Sequence, residues 1–149
     1  MASRRSQIVD AIVTALDGAS KPVGLTVYRT RADALKAANL PAVVVSRVQE
    51  ETHRGDGPRG YKARRSLSIR VDCYVSTTTD GETSEDALDP LTSWAVQAVM
   101  ADPTLGGLAN NTNEVATQWS VSDTDAVYAH ALVGFAVDYI TAAGNPDAA

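Results

Sequence analysis

Arg65-Ser66-Leu67-Ser68-Ile69-Arg70-Val71-Asp72-Cys73-Tyr74-Val75 alternates without a break between apolar and polar or amphipathic residues. A period of two marks a strand that buries one face and wets the other. It predicts Leu67, Ile69, Val71, Cys73 and Val75 inward, with Ser66, Ser68, Arg70, Asp72 and Tyr74 outward. Cys73 is the one cysteine of the chain, so no intramolecular disulfide can form. In this phase it is a small apolar residue on a buried face, not a nucleophile, which would need an activating electropositive neighbour.

Upstream, Pro41 opens Ala42-Val43-Val44-Val45-Ser46-Arg47-Val48-Gln49, a β-branched run that reads as a second strand. Glu50 to Arg59 holds His53, Gly55, Asp56, Gly57 and Pro58 and reads as a long connection. The two strands make a long antiparallel hairpin with a flexible, basic tip at about 50–63. Further back, Ile8, Val9, Ile12, Val13 and Leu16 recur at helical spacing from about Arg4. Ser3 or Ser6 would cap this helix and Gly18 would end it. Gly24 to Tyr28 is a short strand candidate, and Asp33 to Asn39 one or two helical turns.

Downstream of a polar linker, Ser76 to Ser84, comes Asp86-Ala-Leu-Asp-Pro-Leu-Thr-Ser-Trp-Ala-Val-Gln-Ala-Val-Met-Ala-Asp-Pro-Thr-Leu-Gly-Gly-Leu108. Leu88, Leu91, Ala95, Ala98 and Val99 form one helical stripe. Pro90 belongs in a first turn, which puts Asp86 or Asp89 near the N-cap. Asp102-Pro103 and Gly106-Gly107 end the helix. Two strands follow: Glu114 to Val121, with Val115, Thr117, Trp119 and Val121 on one face, and Ala126 to Ile140. In the latter Val127, Ala129, Ala131, Val133, Phe135, Val137 and Tyr139 share a face, and residues 141–149 read as a frayed tail. The expectation is a single α+β domain over 1–149, in the order α-β-β-β-α-β-β. Its four- to five-stranded sheet would be mostly antiparallel, with two main helices packed on one face.

The chain has 149 residues and a net charge of −5, which argues against a dedicated nucleic-acid binder. Locally the charge is uneven. Arg54, Arg59, Lys62, Arg64, Arg65 and Arg70 are opposed only by Asp56, and the sign then reverses with Asp72, Asp80, Glu82, Glu85, Asp86 and Asp89. Loops of opposite sign let a subunit dock head to tail with copies of itself. No apolar stretch resembles a signal peptide or a membrane span, so a soluble protein folding in a cytoplasm is expected.

Catalytic patterns are missing from the sequence. Two histidines, His53 and His130, lack any zinc spacing with Cys73, and His130 in mid-strand reads as a packed or surface imidazole. Gly55 to Gly60 joins two strands and does not open a helix, so it is no dinucleotide loop. The acids of 80–89 do not follow the spacing of a calcium loop. No catalytic residue, cofactor or metal is therefore expected. Trp94 and Trp119 read as core, or as interface anchors if either is exposed.

Taken together, the opening helix and the Leu40-Pro41-Ala42-Val43-Val44-Val45 strand entry resemble the tail terminator family of long-tailed bacteriophages. So do the Arg65 to Val75 strand, the Asp86 to Met100 helix with Ala101-Asp102-Pro103-Thr104-Leu105-Gly106-Gly107-Leu108, and the closing hairpin. The resemblance implies a homohexameric ring that caps the finished tail tube, stops its polymerisation and offers the head-joining surface. It implies as partners the chain itself, the tube protein and a head-completion or connector protein, with no membrane and no sequence-specific nucleic acid. Localisation would be the head-proximal end of the tail in the virion, after assembly in the host cytoplasm. Arg54, Arg59, Lys62, Arg64 and Arg65, with Asp80, Glu82 and Glu85, are the candidate subunit or tube contacts. The nearest alternative is a head-completion or neck adaptor protein; a nucleic-acid-contacting module using the basic hairpin is a further one.

Overall fold

The computed structural model describes residues 2–18, 20–30, 40–54, 62–76, 84–120 and 128–147. Its elements are α1 (Arg4–Leu16), β1 (Thr26–Arg29), β2 (Ala42–Arg54), β3 (Lys62–Ser76), α2 (Ser84–Met100), β4 (Asn111–Ser120) and β5 (Tyr128–Ala142). The five strands form one sheet in the order β1-β2-β3-β5-β4. α1 lies over β1 and β2, α2 lies over β3, β5 and β4, and the helices touch each other. Both therefore cover the same face of an α+β fold.

The sheet is mixed, where the sequence suggested a mostly antiparallel one. β1 runs parallel to β2, from Thr26 beside Ala42 to Arg29 beside Val45, and the other neighbours are antiparallel. Residues 30–41 supply the roughly dozen-residue connection that a parallel neighbour requires. The helix-facing core is built as the alternation predicts. Leu67, Ile69, Val71 and Cys73 of β3 and Ala129, Ala131, Val133, Phe135 and Val137 of β5 are buried, against Ile8, Val9, Ile12 and Leu16 of α1 and Leu88, Leu91, Ala95 and Val99 of α2.

Two bulges alter the predicted strands. In β2 the register shifts between Arg47 and Gln49, and pairing continues to Arg54 opposite Ala63. The connection expected from Glu50 thus begins only after Arg54; residues 55–61 lie outside the described residues. In β4 the register shifts between Glu114 and Ala116. Thr117 and Trp119 keep the helix-side phase, but Val115 leaves it and is 66 % exposed. An inserted residue flips every side chain beyond it, which is why one unbroken β4 face does not form. Val121, Val127 and the expected helical turns at 33–39 lie outside the described residues.

Helix boundaries follow local chemistry. The Ser3 hydroxyl accepts the Ser6 N–H at 3.2 Å and caps α1. α2 begins at Ser84, earlier than expected, so Pro90 sits inside the helix and not in its first turn. Proline lacks the N–H that would close a turn there. The Thr92 hydroxyl donates to the carbonyls of Leu88 (3.1 Å) and Asp89 (3.2 Å) in that weakened stretch. Beyond α2 the chain reverses through Leu105, Gly106 and Gly107, all at positive φ. The Asp102 carboxylate holds the turn by accepting the Thr104 hydroxyl (2.8 Å) and the Gly106 N–H (2.8 Å).

Within the expected tail, residues 141–147 make contacts with the fold, and residues 148–149 lie outside the described residues. Thr141 and Ala142 belong to β5, Ala142 bridges to Asn145, and the Asp147 carboxylate accepts the Arg4 N–H at 2.9 Å. No helix among the described residues is long and apolar enough to cross a membrane.

Candidate assembly surface

The candidate contact residues separate into three groups. Lys62 and Arg64 are exposed at the hairpin end of β3, on the face away from the helices. Arg54 ends β2 opposite Ala63, while Arg59, Asp80 and Glu82 lie outside the described residues. Glu85 is exposed in the first turn of α2, near the other end of β3. Arg65 does not join the surface set: it is 8 % exposed and points under α1. It shares the odd-numbered phase of Leu67 and Ile69, and that phase faces the core.

Arg65 belongs to a polar cluster around Glu50. The bulge at Val48 turns Glu50 inward opposite Leu67. Its carboxylate accepts Arg5 Nε at 3.0 Å and Arg65 Nη1 at 3.2 Å, together with bonds from Arg5 Nη2 and the Tyr139 hydroxyl. Arg65 Nε donates to the Thr141 hydroxyl at 2.8 Å, and Arg4 lies over the Tyr139 ring. Burial pushes the Glu50 carboxyl up, but the bonds from Arg5, Tyr139 and Arg65 outweigh it and hold it below the usual carboxylate value. The Tyr139 phenol is pushed up to about 12 by burial and by Glu50.

A second cluster lies on the open face. Asp72 accepts Arg70 Nε at 2.8 Å and Nη2 at 2.9 Å, and its Oδ1 lies 2.6 Å from His130 Nε2. His130 Nδ1 lies 3.0 Å from the Ser120 hydroxyl, and the Tyr74 ring stacks on the imidazole with centroids 4.6 Å apart. Burial raises the Asp72 carboxyl, and the bonds to His130 and Arg70 more than reverse that shift. The arrangement bolts β3, β5 and β4 together across the open face. Sequence reasoning missed it, although Asp72 and Tyr74 were read as outward and His130 falls in the outward phase of β5.

The far edge of the sheet is the barest. Among the described residues β4 has one neighbour, β5, and most of its residues are exposed, Trp119 at 45 %. Between β4 and α2 runs a groove of about 330 Å³ lined by Asp89, Ser93, Gln97, Glu114, Thr117 and Trp119. An indole beside two carboxylates suits a cationic side chain, which meets charge and a π-face together. Among the described residues no group of three or more His, Cys, Asp or Glu is placed to hold a metal ion. Burial, with the Asp72 charge beside it, raises the Cys73 thiol to about 12, so it is held protonated. No family model matches the chain, and no curated protein matches it.

Proposed function

We propose that this chain is a structural virion protein whose copies form a ring that caps the completed phage tail tube. The ring stops tube polymerisation and provides the surface to which the head is joined. One observation carries the reading: the edge strand β4, which among the described residues pairs only with β5 and exposes Trp119 beside the α2 groove, lies across the sheet from the exposed cations of the β2–β3 hairpin. A subunit that closes into a ring needs two different patches on different sides, each complementary to the other. The five-stranded sheet with both helices on one face also supports the resemblance in plan. Labelling of the protein in intact virions tests the reading. Signal at the capsid–tail junction is expected, and signal confined to any other place overturns it.

The chain Ser120–His130–Asp72 favours a second reading, acyl transfer with Ser120 as nucleophile and His130 as base. A fluorophosphonate probe decides it. Stoichiometric labelling of Ser120 that is lost in His130→Ala would establish a reactive hydroxyl, and an unlabelled protein removes this reading.

A further inference from the structure

All 13 Lys and Arg residues lie within residues 1–70, together with only six of the 18 Asp and Glu. Residues 71–149 hold the other twelve acids and no Lys or Arg. The two stretches therefore carry net charges of +7 and −12 within a chain of −5. The fold converts this division along the chain into a division in space. Residues 1–70 build α1, β1, β2 and the first part of β3; the rest builds α2, β4 and β5. With strand order β1-β2-β3-β5-β4, the boundary falls at the central strand. Among the described residues α2 and β4 carry acids and no Lys or Arg, while the cations lie on α1, β1, β2 and β3 and the segment before β1, with Arg4 of α1 reaching across to the Leu108 carbonyl.

Much of the cationic charge is neutralised internally, by Glu50, Asp10, Asp17 and Asp72. Lys62 and Arg64, together at the hairpin end of the open face, are exposed and form no salt bridge among the described residues. Glu51 and Asp138 are the acids that line the same pocket as Arg64 among the described residues. On the opposite flank Glu85, Asp89 and Glu114 are exposed and form no salt bridge among the described residues. Trp119 stands beside Ala131, and Ala131 beside Cys73, nine positions along β3 from Arg64. That is roughly 30 Å at the rise of a strand, and Glu114, level with Phe135 and Ile69, is roughly 17 Å along from Arg64, so the patches of one subunit do not reach each other.

We infer that the α2–β4 groove, with Asp89, Glu114 and Trp119, receives the exposed cations Lys62 and Arg64 of a second copy of this chain. The contact is head to tail and heterologous, because the two patches differ and lie on opposite flanks. Like flanks repel, which disfavours a two-fold dimer and leaves the ordered, directional contact. The proposal deepens the ring reading by naming the faces that meet, and the association itself is measured without reference to a phage.

The test is sedimentation of the full chain at low and high salt, with folding of each variant checked by circular dichroism. Wild type should self-associate at low salt and weaken as salt screens the pairs. Lys62→Glu/Arg64→Glu should weaken self-association by roughly tenfold or more, as should Asp89→Lys/Glu114→Lys, because each sets like charges against each other. An equimolar mixture of the two should associate again, since each variant then offers two flanks of one sign to two of the other. Trp119→Ala, at an exposed site, should weaken association while leaving folding intact. A wild-type chain monomeric at low salt at the highest attainable concentration overturns the proposal. So does a mixture that fails to restore assembly. Charge-dependent association with virion signal away from the tail would sink the tail reading and leave this contact standing; the converse pattern would do the opposite.

Discussion

Glu50 and Asp72 occupy opposite faces of one sheet and are almost equally withdrawn from water, their side chains 10 % and 8 % exposed. Each carboxylate accepts several charged or polar donors, and each is held below its ordinary value. They differ in the freedom of their partners. Arg65, beside Glu50, is 9 % exposed and roofed by α1, whereas Arg70, beside Asp72, is 46 % exposed and can turn into water. The worth of a buried ion pair is therefore set less by the carboxylate than by whether its partner has somewhere else to go.

Acting on both carboxylates at once should have the largest effect. Groups whose pKa is lower in the folded chain contribute stability that is present above the unfolded value, about 4, and is lost as pH falls through the folded value. Unfolding free energy should therefore decline on acidification below about pH 4. The decline should be shallower in Glu50→Gln and in Asp72→Asn than in wild type. Identical acid profiles for all three proteins would refute the role given to these two groups.

Next comes Glu50→Gln at neutral pH, which strands the Arg65 guanidinium under α1. Breaking one side of a buried pair costs about 3 kcal/mol or more, read by urea denaturation. Replacing both members, as in Glu50→Leu/Arg65→Met, should recover most of that loss because no buried charge is left unpaired, Arg5 being 35 % exposed and able to turn into water. A double variant as unstable as the single one would show that packing, not charge, dominates the site. Asp72→Asn should cost less, about 1–2 kcal/mol, since Arg70 can be solvated and the amide can still bond His130.

How much of this contrast could be read in the sequence depends on where the phase of a strand is interrupted. In β3 nothing interrupts it, and the inward and outward sets from Ser66 to Cys73 follow from periodicity alone. Arg65 was legible by the same rule, since it shares the phase of Leu67; its charge suggested surface, and the phase decides. Glu50 was not legible, because the bulge at Val48 resets the alternation and no residue type announces such an insertion. The bulge at Val115 likewise hid which residues of β4 face α2. The groove at Trp119 therefore emerges only when the strand order brings β4 beside α2. A salt-bridge cluster drawn from α1, β2, β3 and β5 depends on register, which local pattern does not supply.

The smallest expected effect lies at the outer end of the open-face chain. Ser120 is exposed, and its hydroxyl can exchange His130 for water with little loss. Ser120→Ala should then change stability by no more than about 0.5 kcal/mol, the usual range for a surface substitution. The comparison sharpens if Tyr74→Ala is measured beside it. That ring stacks on His130, so its removal opens one face of the imidazole to water, beside the bond to Asp72 that Ser120 merely extends. Losses should rise along the chain from Ser120 to Tyr74 to Asp72, each step inward leaving a partner with fewer alternatives. A Ser120→Ala loss as large as that of Asp72→Asn would mean the open-face cluster acts as one indivisible unit, and the distinction between its members by solvent access would fail.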